Sequence, residues 1–460
     1  MKLYFDVEDK PKFGQLIVFA IQQLLAIMAA TLVVPVIINN GNPALTGENA
    51  MSTAAALFGA GVGTLVYVLF TKAKSPVFLG SSFAFLGSMA AAFAGTASVA
   101  VGYLGLIIGA FFAGLVYVVI AVIVKIVGVN WINKLMPAVV IGPTVAIIGL
   151  SLASNAINDL KTTNAEGGSP LIAILCGIIT LIVVTLCSTY GKKTVKLIPF
   201  IIGILSGFAI AAILTLIGNA ADIDALKIAN LTPITSLVAD GVTINTFLTV
   251  PKFTFLKALG GFKEINVSYI GTIAVAYVPV AFVVFAEHIA DHKNISSIIE
   301  RDLLNKPGLH RTLLGDGIGS MAGAFFGGCP NTTYGESVAC VAITRNASVV
   351  TIIAAAIGAI LISFLSPFVA FVNAIPSCVM GGVCMALYGF IAVSGLKMVQ
   401  LVDLNENRNL FVVSTILIAG IGGLTVTFGK ITITSIAAAL ILGIIVNVIL
   451  SGKKTAENTE

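Results

Sequence analysis

Apolar stretches of about 20 residues recur along the whole chain, and they limit what it can fold into. Hydrophobic residues make up 58% of the 460 residues, charged residues make up 10%, and the mean hydropathy is +1.07. A soluble protein needs more polar surface than this composition provides. Stretches of this length suit helices that cross a hydrocarbon core about 30 Å thick, not the ten-residue alternating strands of a barrel. The sequence therefore predicts an all-α polytopic protein of the lipid bilayer.

The apolar runs predict fourteen transmembrane segments. They cover residues 14–39, 52–71, 76–95, 99–125, 135–157, 170–189, 195–218, 266–291, 312–328, 330–344, 347–374, 377–396, 409–429 and 431–451. An even count puts both termini on one side, and most of the 25 Lys and Arg residues fall in loops on that side. Positive loops mark the cytoplasmic face. We therefore expect a multi-pass protein of the cytoplasmic membrane with both termini in the cytoplasm. Because loop placement accounts for the positive charge, no nucleic-acid partner is expected.

A polar connection, residues 219–265, divides the chain into halves of seven spans, and an odd number inverts the second half. This predicts an inverted-repeat transporter, in which corresponding spans are interrupted near the binding site. The third span opens with Pro76 and the tenth with Pro330, and both continue with small, hydroxyl and aromatic residues. We expect a short strand before a half-helix in each, with helix N-termini facing one cavity. The alternative is that proline and glycine only kink two ordinary spans.

The tenth span carries a polar segment, residues 329–337, between two apolar spans. Pro330 cannot donate a backbone hydrogen bond, and Gly335 permits close approach to the backbone. Glu336 puts a carboxylate at membrane depth, where ionisable residues usually face a cavity or a partner. The segment therefore predicts a binding site.

A second acidic group ends the eighth span, where Glu287 and Asp291 share a helix face after a long uncharged run. Two ionised carboxylates this close repel each other, so we expect one of them to hold a proton at neutral pH, which suits proton coupling. The alternative is a solvated group at the cytoplasmic helix end beside Lys293. For His288 and His292 both interpretations stay open.

Other motifs exclude several kinds of chemistry. His288 and His292 are spaced like the zinc ligands of a metalloprotease helix, but position 289 is isoleucine where that motif needs glutamate. No Walker A motif occurs, so ATP-driven transport by this chain alone is not expected. The six cysteines lie mostly in apolar surroundings and are expected to be reduced thiols. We expect a transporter without enzymatic activity, metal or cofactor.

A ladder of glycines runs along the ninth span at every fourth position. It comprises Gly315, Gly319, Gly323 and Gly327. One smooth helix face predicts close packing against a neighbouring membrane helix. The stretch around Gly315 superficially resembles a dinucleotide loop, but no soluble strand–helix unit surrounds it.

Four motifs occur together in order and spacing: residues 80–85 (GSSFAF), 286–288 (AEH), 307–311 (PGLHR) and 330–336 (PNTTYGE). With them the chain closely resembles, over nearly its whole length, the nucleobase–ascorbate (nucleobase:cation symporter-2) family, and its uracil permease branch in particular. The resemblance implies a seven-plus-seven inverted repeat with short strands in segments 3 and 10, and a homodimer. It also implies a core domain (14–126 and 266–374), a gate domain (134–218 and 377–451) and an extracellular connection (219–265).

The resemblance further implies the site. Glu287 and Glu336 would accept hydrogen bonds from the ring N–H groups of uracil, and the backbone N–H groups of Phe83 and Gly335 would donate to its carbonyl oxygens. Phe83 or Tyr334 would border the ring face. Gln23, Asn331 and Thr333 are secondary candidates. The implied activity is uracil import by proton symport with elevator-type movement, in which Glu287 and Asp291 handle the proton.

Two positions depart from the family pattern. Many uracil permeases have histidine where this chain has Asp291 and Gln23, which leaves the proton path open. Some purine-transporting relatives have aspartate at the first position, so a xanthine or other purine:proton symporter is an alternative. Glu336 after Tyr334-Gly335 resembles the uracil pattern, whereas xanthine and urate members tend to have glutamine nearby.

Two further alternatives use the carboxylates less well. An anion carrier of the same fold would need a cation or bare helix N-termini at the site, which Glu336 disfavours. A receptor or scaffold that transports nothing would need no carboxylates in the membrane interior.

Overall fold

The computed structural model describes residues 3–94, 96–128, 131, 137–192, 195–196, 198–239, 241–428 and 431–451. In chain order the α-helices of these ranges are α1 (Phe13–Asn40), α2 (Thr53–Phe70), α3 (Leu86–Phe93), α4 (Val99–Val127), α5 (Ala138–Ser151), α6 (Ala153–Leu160), α7 (Pro170–Tyr190), α8 (Pro199–Ala221), α9 (Thr232–Thr235), α10 (Ile244–Phe247), α11 (Thr254–Ala258), α12 (Val267–Ile299), α13 (Leu309–Gly327), α14 (Gly335–Thr344), α15 (Val349–Ile362), α16 (Ser366–Ala374), α17 (Ser377–Val399), α18 (Asn407–Ile421) and α19 (Ser435–Ser451). The strands are β1 (Leu79–Ser81), β2 (Asn331–Thr333), β3 (Val426–Phe428) and β4 (Ile431–Ile433).

Eight helical stretches in the described ranges are long and apolar enough to cross a membrane. Five shorter apolar helices accompany them, and glycine-rich α13 stands at the position of the ninth predicted span. The structure is therefore mostly helical, as the composition predicts. The number of crossings and the inverted repeat stay predictions. Five of the lysines counted among the loop charges lie outside the described residues, namely Lys2, Lys134, Lys193, Lys453 and Lys454. The predicted span edges at 95, 135 and 429 lie outside them as well.

Three predicted spans differ from the helices of the structure. Helix α12 does not end at Asp291 but continues to Ile299, because Ile295 and Ile299 extend its buried face. The single span 347–374 is two helices, since Leu365 is extended before Ser366 and a proline opens the next helix. Between spans 13 and 14 lie the antiparallel strands β3 and β4, whose consecutive β-branched residues favour strand over helix.

The interrupted third and tenth spans meet as predicted. Strands β1 and β2 pair antiparallel, with Gly80 opposite Thr332. A short 3₁₀ turn, Phe83–Phe85, leads from β1 into α3, and α14 follows β2. The expectation of a strand before each half-helix is confirmed, and the alternative of two kinked but continuous spans is wrong.

The helices pack in two groups. In the first, here called the core group, α13 packs on α2 and α4, α15 on α1 and α2, and α12 on α4. Strands β1 and β2 and the half-helices α3 and α14 pack on these helices and belong to the same group. In the second, here called the gate group, α17 packs on α5, α6 and α7, α8 packs on α7, and α18 packs on α5 and α19. Membership of the two groups follows the ranges expected for a core and a gate domain. That the two groups move as separate domains stays a prediction.

The glycine ladder of α13 brings it against α2, as predicted. A Cβ atom on Gly319 would lie 2.7 Å from the carbonyl oxygen of Gly63, and one on Gly327 would lie 2.6 Å from that of Ala55. These distances leave no room for a side chain. Small residues let membrane helices approach until their backbones touch, which maximises van der Waals contact.

The polar connection between the halves is folded onto the core group. The ring of Phe255 stacks on that of Phe325 with centroids 4.8 Å apart. The Lys257 ammonium donates to the carbonyl oxygens of Glu48 (2.9 Å) and Ala50 (2.6 Å), before α2. Burial lowers the pKa of Lys257 to about 8. The connection therefore carries short helices, α9 to α11, that the sequence analysis did not predict.

We expect Gly59→Ala to destabilise the fold, because a Cβ atom there would lie 2.5 Å from the carbonyl oxygen of Gly323. A backbone atom can move away only if the whole helix shifts. Overpacking of this kind typically costs about 1–3 kcal/mol of unfolding free energy. Gly389→Ala is the matched control, since nothing lies within 4 Å of a Cβ atom at that helical position. The measurement is thermal unfolding of both purified variants in detergent. Equal melting temperatures would contradict the packing account.

Candidate functional site

A small cavity of about 30 Å³ lies where the two strands meet their half-helices. Its lining comprises Ser82, Phe83, Ala84, Ile148, Glu287, Thr332, Tyr334, Gly335, Glu336 and Ile391. Both candidate carboxylates, Glu287 and Glu336, therefore face the same space. The other primary candidates from the sequence, Phe83, Tyr334 and Gly335, lie in the same lining.

The crossed strands fix where backbone donors point. The ladder ends with Ser82 N–H donating to the carbonyl of Pro330 (2.9 Å) and Tyr334 N–H donating to that of Phe78 (3.2 Å). The next residues, Phe83 and Gly335, begin helical turns. The first N–H groups of a helix have no partner within it, and they carry the positive end of the helix dipole. Two sets of such donors thus border one cavity.

Tyr334 is held in place by the strand opposite. Its hydroxyl donates to the carbonyl oxygen of Ser81 at 2.7 Å. Its ring lies against Gly80, where a Cβ atom would overlap it, so this position of β1 needs glycine. Phe83, from the other half-helix, packs edge to face on Tyr388 of α17 with ring centroids 5.7 Å apart. The aromatic part of the lining is therefore fixed on one side by β1 and on the other by the gate group.

The acidic side chains lack cationic partners. Among the described residues no Lys or Arg forms an ion pair with Glu287, Asp291 or Glu336. The hydroxyl of Thr333 donates to Asp291 Oδ2 at 2.8 Å. Carboxylates removed from water need hydrogen-bond donors, a counter-charge or a proton. The site is therefore built to receive N–H donors or protons.

The secondary candidates occupy different places. Thr333 and Asp291 stand beside the cavity, where a Cβ atom on Gly335 would lie 3.9 Å from Asp291 Oδ1. Gln23 does not line the cavity. Its amide donates to the hydroxyl of Ser337. That hydroxyl also accepts from Phe78 N–H at 2.9 Å, so Gln23 acts on the start of β1 through Ser337.

Asn331, the third secondary candidate, points away from the cavity. Its amide nitrogen donates to the carbonyl of Gly59 at 3.1 Å, and the same amide lies where side chains at Gly63 and Gly323 would be. It ties β2 to the contact between α2 and α13. The structure therefore gives Asn331 a packing role.

The two histidines of the eighth span are fully buried. The alternative that puts them at a solvated helix end is therefore wrong. His288 Nδ1 lies 2.7 Å from Asp316 Oδ2 of α13, and His292 Nε2 lies 2.7 Å from the hydroxyl of Tyr67 of α2. Both histidines therefore face helices of the core group. Asp316 is an acid inside a span, a signal that can be seen in the sequence between the glycines on either side, and it is 1% exposed.

Two apolar lining residues were also missed. Ile148 of α5 and Ile391 of α17 are ordinary members of apolar helices, and no sequence signal separates them from their neighbours. The described residues contain no group of three His, Cys, Asp or Glu side chains arranged to hold a metal ion.

A larger cavity adjoins this one. It has a volume of about 400 Å³ and lies between the end of α1, the half-helix α3, and the gate-group helices α5, α6 and α19. Phe83 and Ala84 line both cavities. The end of α1 lies on the side that the sequence predicts to be extracellular.

Comparison with known proteins places the chain in a family. The model of the Permease family (Xan_ur_permease) matches residues 14–429. The chain belongs to this permease family. The permease is 36% identical to the uracil permease of Bacillus caldolyticus, over 99% of this chain and 97% of that one. It is 34% identical to the uracil permease of Bacillus subtilis, over 98% and 96% of the two chains. It is thus a multi-pass transporter and not an enzyme.

A solved structure shares the fold of this permease. The transmembrane domain of a cyanobacterium bicarbonate transporter, BicA, matches it with a TM-score of 0.61, over 96% of this chain and all of that one. The two sequences are 15% identical, so the likeness concerns the fold alone.

Proposed function

We propose that this permease imports uracil across the cytoplasmic membrane by proton symport. The observation that carries the proposal is the convergence of Glu287, Glu336 and two half-helix N-termini on one cavity. The names of its relatives, uracil permeases from two Bacillus species, point to the same substrate.

The chemistry of the lining matches the edge of a pyrimidine-dione. Uracil alternates ring N–H donors with carbonyl acceptors and carries no charge. Glu287 and Glu336 would accept from the two N–H groups, while the free backbone N–H groups of Phe83 and Gly335 would donate to the carbonyls. The aromatic rings of Phe83 and Tyr334 would border the flat face of the base. An anion would instead meet two carboxylates, which argues against an anion carrier.

The acidic side chains support coupling to protons. Glu287 and Asp291 lie one turn apart on α12, and no cationic side chain of the described residues pairs with either. Moving such a group across the low-dielectric interior is costly unless its charge is neutralised. We assign the transported proton to Glu287, coupled to Asp291, with Thr333 supporting the Asp291 carboxylate.

The two helix groups suggest how the site changes sides. All polar lining residues belong to the core group, so an elevator movement of that group past the gate group would carry the whole polar site. The larger adjoining cavity would serve as the outer access route. We propose that the permease acts as a homodimer, with cytoplasmic termini, in which the gate groups stay fixed while each core group moves.

We expect radiolabelled uracil to enter proteoliposomes faster when an inward proton gradient is imposed. Excess unlabelled xanthine should leave this uptake unchanged. Glu336→Gln should reduce uptake by about 100-fold or more, because the amide oxygen accepts more weakly than a carboxylate and the amide N–H group adds a buried donor without an acceptor. A buried polar group without a partner lowers affinity strongly, as it does in other sites that hydrogen-bond a substrate.

Each contradictory result points to a different error. Strong competition by xanthine would identify a purine permease of the same mechanism. Uptake that is indifferent to the gradient would remove proton coupling, and full activity of Glu336→Gln would remove the assigned site. Size-exclusion chromatography of the variant controls for misfolding.

We expect Gly335→Ala to weaken uracil binding without destabilising the protein. A Cβ atom there meets nothing nearer than Asp291 Oδ1 at 3.9 Å, so the empty site accepts it. The added methyl would occupy space that the base needs, and one misplaced methyl is worth about 10–200-fold in affinity. The measurements are the uracil dissociation constant and the melting temperature of the same sample. Unchanged affinity would show that the base does not lie against Gly335.

A further inference from the structure

The walls of the acidic cavity come from different helix groups. The core group supplies the polar wall, which contains the carboxylates, the hydroxyls of Ser82 and Thr332, and the half-helix N-termini. The gate group supplies two isoleucines, Ile148 and Ile391. The wall that faces the polar groups is therefore small, apolar and β-branched.

This apolar wall rests on the tightest part of the gate group. A Cβ atom on Gly149, next to Ile148, would lie 2.7 Å from the backbone nitrogen of Ala392, next to Ile391. One turn further along α17, a Cβ atom on Gly395 would lie 2.6 Å from the carbonyl oxygen of Gly142. Helices α5 and α17 thus touch backbone to backbone beside both isoleucines. The two isoleucines therefore cannot move away from a larger ligand unless α5 and α17 separate.

The stiffness of the two side chains adds to that of the helices. β-branched residues in helices have one strongly preferred χ1 rotamer, so they do not swing aside as leucine or methionine can. Ile148 is also 2% exposed, with little free space around it. The wall therefore sets a distance from the polar groups and holds it.

We propose that Ile148 and Ile391 set the size limit of the substrate, by contacting the edge of the base that carries no hydrogen-bonding group. This inference rests on the proposed function. If the core group engages the ring N–H groups and the carbonyls, the C5–C6 edge of the pyrimidine faces the gate group. A substituent at C5, or the second ring of a purine, would then collide with the isoleucines.

The position of the two isoleucines determines when in the transport cycle the size of the base is selected. Because the two isoleucines stand on the gate group, the base meets them only while the polar site lies opposite α5 and α17. Hydrogen bonds to the core group select the chemistry of the base, and the gate group selects its size.

The test is competition against radiolabelled uracil binding to the purified permease. The competitors are uracil, thymine, which is uracil with a methyl group at C5, and xanthine. The wild type should bind uracil about 10–200-fold more tightly than thymine, the range for one misplaced methyl in an apolar pocket. In Ile148→Ala and in Ile391→Ala this ratio should fall about tenfold, because either change opens space opposite C5. Xanthine should compete measurably with uracil in at least one of them.

Ile147→Ala is the matched control. It makes the same substitution on the same helix, but the Ile147 side chain packs against Gly420 of α18 and does not line the cavity. It should lower stability without changing the uracil-to-thymine ratio. If Ile148→Ala does not fold, Ile148→Val and the half-buried Ile391→Ala provide the same comparison with a smaller loss of packing.

The outcomes separate the inference from the function on which it rests. An unchanged ratio in both cavity variants, or an equal change in Ile147→Ala, would overturn the size-limit assignment while leaving uracil transport intact. A wild type that binds no uracil would overturn the proposed function itself.

Discussion

The structure depends on how backbone polar groups are satisfied in the interior of a membrane. Lipid offers them no hydrogen bonds, so a broken helix is possible only if other parts of the protein replace the lost partners. Here β1 and β2 pair with each other, and side chains complete the ladder: the Thr64 hydroxyl accepts from Leu79 N–H (2.9 Å) and the Ser337 hydroxyl accepts from Phe78 N–H (2.9 Å). Once the strands are satisfied in this way, the first turns of the half-helices that follow can leave their N–H groups free. The donors that the proposed site offers are thus a consequence of how two interrupted spans are tolerated.

The carboxylates extend the same argument to charge. Glu287 and Glu336 line the cavity without a cationic partner among the described residues, so the site is incomplete until donors or protons arrive. In the account proposed here a base supplies the donors and the bulk phase supplies the proton. The opposite wall, Ile148 and Ile391, has no polar group that needs a partner. It limits the size of the ligand. Chemistry and size are then selected by different helix groups, which ties recognition to the relative position of those groups.

What could be predicted from the sequence follows from the range of the interactions involved. Proline and hydroxyl residues in the third and tenth spans, acids at membrane depth and glycines at every fourth position are local patterns, and the strands, the acidic cavity lining and the α2–α13 contact reflect them. The continuation of α12 beyond Asp291 and the burial of His288 and His292 depend on what packs against that helix, which no local pattern records. Ile148 and Ile391 are the extreme case, since apolar residues within apolar helices look alike until the fold brings two of them to a cavity.

The most direct test of the central claim is to count the protons that accompany uracil. Calorimetric titration in buffers of different ionisation enthalpy gives the number of protons taken up per uracil bound by the purified permease. The account predicts uptake of about one proton by the wild type, because binding in a low-dielectric site requires that the acidic group be neutralised. Binding of uracil with the same enthalpy in every buffer, and therefore without a proton, would contradict it.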